Sequence, residues 1–117
     1  VTVWGSSYSS ALAIFVGVDN QNVNGIISFS PGNYFGDAKP KLKSVFEELE
    51  TAFLVTSSKE EAADLSKELE GVDLNNNQSQ FIPESDGFHG SRAVWEGQQG
   101  AEEYWQAITE FLNKLYN

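Results

Sequence analysis

The chain has no cysteine, no methionine and a single histidine among 117 residues. Without cysteine there is neither a disulfide nor a thiolate metal site, and one histidine excludes a histidine-rich centre, so no metal is expected. The lack of cysteine also suits an exported protein. Without methionine Val1 is not an initiator position, and the expectation is that polypeptide once preceded it. No apolar run approaches the roughly 20 residues that span a bilayer, and the start carries no signal-peptide pattern. Basic residues are scarce as well: seven against 17 acidic ones, a formal charge of -10. Such a surface repels phosphate backbones and anionic lipids, which sets aside nucleic acid and membranes as partners. The chain reads as soluble.

What is present is one domain's worth of residues, enough to bury roughly 65% of the surface exposed by the unfolded chain. Val1-Thr2-Val3-Trp4 is almost continuously apolar, as in a parallel strand buried on both faces. Gly5-Ser6-Ser7-Tyr8-Ser9 follows as a sharp turn. Ala11, Leu12, Ile14, Phe15, Val16 and Val18 then mark a helix apolar nearly all round. Val23 to Ser30 reads as a second strand closed by Pro31-Gly32, and Pro40 opens an amphipathic helix whose stripe is Leu42, Val45, Phe46 and Leu49. Ala52 to Thr56 is a third strand. The spacing of Ala62, Leu65 and Leu69 predicts a third helix, stopped by Gly71. Gln80-Phe81-Ile82 is a weaker strand that Pro83 confines to an edge or an end. Tyr104, Trp105, Ile108, Phe111, Leu112 and Leu115 stripe a closing helix.

Strand and helix alternate four times, which predicts a four-stranded parallel sheet, helices on both faces and a three-layer α/β/α unit. Sites in such sheets lie beyond the carboxyl ends of the strands. Ser7 follows the first strand, Glu60 the third and His89 the fourth, so all three fall at one rim. A serine hydroxyl is a poor nucleophile until a base takes its proton and a carboxylate holds that base in one tautomer. Small residues stand two places either side of Ser7, Gly5 and Ser9, as a nucleophile elbow requires, although Ser9 occupies a place where glycine is usual. The alternative for the serine cluster is a helix N-cap, with Ser6 or Ser7 accepting backbone N–H groups.

With Ser7, Glu60 and His89 in that chain order, the sequence resembles the C-terminal half of an α/β-hydrolase, from elbow strand to last helix. The resemblance implies Ser7 as nucleophile, the Tyr8 N–H as one oxyanion donor, Glu60 as acid and His89 as base. Glu61 is the fallback acid and Asp37 a further alternative. It implies a serine esterase acting on a small carboxylic ester without a cofactor. The family's second oxyanion N–H comes from an earlier half that this chain lacks, so a chain standing alone is expected to be weak. The free side of the Val1–Trp4 strand is expected to meet either that missing N-terminal half or a second copy. Two other readings stay open: a flavodoxin-like domain holding flavin or phosphate, with Trp4, Tyr8 or Tyr34 stacking on the ring, and a non-catalytic remnant acting as an interaction domain.

Overall fold

The computed structural model describes all 117 residues. Four parallel strands, β1 (Thr2–Ser6), β2 (Gly25–Phe29), β3 (Ala52–Thr56) and β4 (Gln78–Phe81), stand in the order β1-β2-β3-β4. Between them run α1 (Tyr8–Asp19), α2 (Leu42–Glu48) and α3 (Ala62–Leu69), and α4 (Ala101–Tyr116) closes the chain. Right-handed crossovers between successive neighbours place their helices on one face of a sheet. In accord with that rule, α1, α2 and α3 share one core with Ile26, Phe53 and Val55, while α4 packs over Ile27, Phe29 and Leu54 on the opposite face. The result is a three-layer α/β/α unit.

β2 and β3 are buried along their whole lengths, which is why they read as unbroken apolar runs. Phe53 is fully buried against Phe46, with ring centroids 5.3 Å apart. Losing such a side chain costs about 3–5 kcal/mol. Of the stripe on α4, Tyr104 and Ile108 are buried, and the Tyr104 hydroxyl donates to the Ser57 carbonyl at 2.8 Å. No helix is long and apolar enough to cross a membrane.

Three expectations need correction. β1 is not covered on both faces: Gly5 alone is buried, and Trp4 stacks on Phe29 with 42% of its surface exposed. α2 begins at Leu42, beyond Pro40. Its first N–H groups are met from elsewhere, Leu42 N–H by Asn33 Oδ1 and Lys43 N–H by a Glu68 carboxylate oxygen. β4 begins at Gln78, two residues early, because glutamine amides stand in for apolar contacts. Gln78 Nε2 donates to the Leu49 and Thr51 carbonyls, and Gln80 Nε2 donates to that of Ala62.

Candidate active site

Between the end of β1 and the start of α1 the chain turns on one residue, Ser7, with φ 56° and ψ -119°. A side chain in that region costs of order 1–3 kcal/mol and persists only where its surroundings enforce it. Here Ser7 N–H donates to the Phe29 carbonyl at 2.8 Å, and the Ser7 carbonyl accepts the Ser10 N–H at 3.0 Å. Gly5 permits the turn, since a Cβ there would come within 2.1 Å of the Ser9 carbonyl oxygen. Ser9 uses the hydroxyl that a glycine would lack: its Oγ accepts Ser6 N–H at 2.8 Å and donates to the Ser6 carbonyl at 2.9 Å. Neither Ser6 nor Ser7 is a side-chain cap of α1. Ser6 Oγ instead accepts the Ser91 N–H at 2.8 Å, which ties the elbow to the loop after β4.

Ser7 Oγ lies 2.7 Å from His89 Nε2. The other ring nitrogen, Nδ1, lies 2.5 Å from Glu61 Oε2. An ionised carboxylate only accepts, so Nδ1 carries the proton and Nε2 is left to accept from the serine hydroxyl. His89 is set by Gly90, whose φ of 67° suits glycine and where a Cβ would meet Ser6 Oγ at 2.6 Å.

The carboxylate at the ring is that of Glu61, the fallback acid, and not Glu60. Successive residues entering a helix point about 100° apart. Glu61 stands at the mouth of α3 and turns back over the sheet, whereas Glu60 faces solvent in the preceding turn. Asp37 lies in the exposed 3₁₀ turn Gly36–Ala38, and neither Glu60 nor Asp37 bonds His89. Glu61 Oε1 is held by Ser30 Oγ at 2.8 Å and by Ser58 N–H and Oγ, each at 3.1 Å. Partial burial would raise this carboxyl, but the bonds from His89, Ser30 and Ser58 outweigh it and hold the group below the ordinary value.

Sequence reasoning missed three members of the cluster: Ser30, Ser58 and Tyr34. Ser30 and Ser58 follow the ends of β2 and β3, so their position after two apolar runs was the available signal. The Tyr34 hydroxyl donates to the Ser30 carbonyl at 2.6 Å. Burial, the largest influence, raises it above its ordinary value, the nearby Ser7 side chain pulls the other way, and the Glu61 charge adds to the rise. Aromatic surface flanks the rim. Tyr8 packs edge-on to Phe35 with centroids 4.6 Å apart, and the Arg92 guanidinium lies over the rings of Phe88 and Trp95 at 5.7 and 5.6 Å. Tyr8 N–H belongs to the first turn of α1, where amides lack an intrahelical acceptor. No group of three or more His, Cys, Asp or Glu side chains is placed to hold a metal ion.

Chemically, the set can move a proton from Ser7 Oγ to His89 Nε2 while Glu61 stabilises the imidazolium that results. No family model, no curated protein and no solved structure matches the chain.

Proposed function

We propose that the chain is a serine hydrolase of the α/β-hydrolase kind, cleaving small carboxylic esters with Ser7 as nucleophile, His89 as base and Glu61 as the acid that orients it. One observation carries the reading: Ser7 Oγ, at a strained strand-to-helix turn, meets the lone histidine at 2.7 Å while a carboxylate meets that histidine's far nitrogen at 2.5 Å. Ser7 Oγ attacks the ester carbonyl as its proton passes to His89 Nε2, and the imidazolium then protonates the departing alkoxide. Water, deprotonated by the same nitrogen, releases the acid and restores the serine. The Tyr8 N–H is the oxyanion donor within this chain. Each donor of an oxyanion hole is worth ~10²–10³ in turnover.

The proposed partner occupies the free edge of β1. Trp4 and Trp105 are exposed on one side of it and Leu12 and Val16 on the other, which suits a strand with covering layers, supplied by polypeptide N-terminal to Val1 or by a second copy. The flavin- or phosphate-binding alternative has less support, because the hydroxyls of Ser6, Ser7, Ser9 and Ser10 are all committed to partners within the protein.

Hydrolysis of p-nitrophenyl acetate by the wild type, S7A and H89A tests the assignment. Turnover that disappears in both variants is expected. Equal rates in all three would overturn it.

A further inference from the structure

Ser30 is 3% exposed and has a φ of 59°, one of only two non-glycine residues in the chain with positive φ. The other is Ser7. At Ser7 the unusual backbone presents the hydroxyl to His89; at Ser30 it aims a hydroxyl between two separate loops. Ser30 Oγ donates to Glu61 Oε1 at 2.8 Å and accepts the Gly90 N–H, next to His89, at 2.8 Å. The backbone of the same residue is fixed on both sides, its N–H donating to the Thr56 carbonyl at 2.7 Å and its carbonyl accepting the Tyr34 hydroxyl. One buried side chain thus links the carboxylate after β3 to the histidine loop after β4, from a rigid point at the end of β2.

We infer that Ser30 is a positioning residue for the Glu61–His89 pair: its hydroxyl fixes the rotation of the Glu61 carboxylate and the height of the histidine loop together, so that Oε2 meets Nδ1 while Nε2 faces Ser7. The inference rests on the triad reading above for its catalytic consequence, whereas its geometric content stands on the bonds themselves. Ser58 supplies further donors to the same carboxylate oxygen, but Ser30 alone also bonds the histidine loop. Its strained backbone fits that role, since a hydroxyl held in an unfavourable conformation has to be kept there by its partners.

Because His89 is the only histidine, its ring nitrogens can be observed without ambiguity. Nitrogen-15 shifts detected through the carbon-bound ring protons report the tautomer of the neutral ring, whether or not the N–H exchanges rapidly. In the wild type the Nδ1–H tautomer is expected to dominate. Ser30→Gly removes the hydroxyl and accepts a positive φ without a Cβ; Ser30→Ala removes the hydroxyl and keeps the Cβ. Both variants are expected to move the ring towards a mixture of tautomers and to lower kcat on p-nitrophenyl acetate roughly 10- to 100-fold with KM unchanged. A folded variant that keeps the wild-type tautomer would overturn the inference, as would a wild type without Nδ1–H dominance. Failure of both variants to fold would place the role of Ser30 in the fold itself and overturn it equally. If the tautomer shifts as expected but the wild type cleaves no ester, the positioning role stands and the hydrolase reading falls.

Discussion

His89 lies 82 residues from Ser7 in the chain, yet its Nε2 is 2.7 Å from the Ser7 hydroxyl. Nothing local brings the two together. Parallel pairing carries the C-terminal ends of β1 to β4 to one rim, and the loops beyond those ends then need only short reaches to meet.

Ser7→Gly should separate stability from activity. Glycine accepts φ 56° without the strain a Cβ brings, although it loses more backbone entropy on folding. The variant is expected to be more stable than wild type by about 1 kcal/mol in urea unfolding while losing all esterase activity.

The two adjacent glutamates should behave differently. Glu61→Gln replaces the acceptor for His89 Nδ1–H and is expected to lower kcat by ~10²–10⁴, since the ring loses its enforced tautomer. Glu60→Gln, exposed and away from the ring, should stay within about twofold of wild type, as surface substitutions usually do. Parallel kinetics on the two variants check the assignment.

Acid sensitivity follows from two carboxylates held below the ordinary value of 4.5, Glu61 among its three partners and Glu103 by bonds from Ser85 and the Glu84 N–H. The unfolded chain takes up protons first as pH falls, so the stabilisation is complete above pH 4.5 and is lost as pH drops through the depressed folded values. Glu103→Gln should therefore lose less stability than wild type below pH 4.5 in acid titrations followed by circular dichroism.

At the alkaline end, burial is the main cause that pushes the Tyr104 hydroxyl from 10.0 up to about 12, with the charges of Glu103 and Glu61 adding to it. The unfolded chain gives up this proton first, so stability present below pH 10 declines as pH rises towards 12. Tyr104→Phe should flatten that decline while costing about 1 kcal/mol at neutral pH through loss of the bond to the Ser57 carbonyl. Denaturant unfolding at pH 8 and pH 11 checks both parts.

The fold was legible where burial writes itself into residue type. β2 and β3 are apolar throughout because they are covered on both faces, and the stripe Ala62, Leu65 and Leu69 is buried as a face of α3. Legibility failed where polar groups do structural work: β4 starts at a glutamine, and the first N–H groups of α2 are met by Asn33 and Glu68 from other parts of the chain. β1 misled because Val3 and Trp4 read as buried on both faces, whereas Gly5 alone of the strand is buried. In the candidate site, order and the small residues around the turn pointed to Ser7 and His89, which the structure places 2.7 Å apart. The choice between Glu60 and Glu61 was not, because it depends on which carboxylate the helix entry turns inward. Ser30 was unreadable for a similar reason, since nothing in Phe29-Ser30-Pro31 reveals a positive φ.

An activated nucleophile at Ser7 should react covalently with an electrophilic phosphorus ester. Treatment with a fluorophosphonate ester, followed by intact-mass measurement and peptide mapping, tests it most directly. One covalent adduct per chain is expected, on Ser7 and absent in H89A. A folded wild-type chain that remains unmodified, or that is labelled equally well without His89, would contradict it.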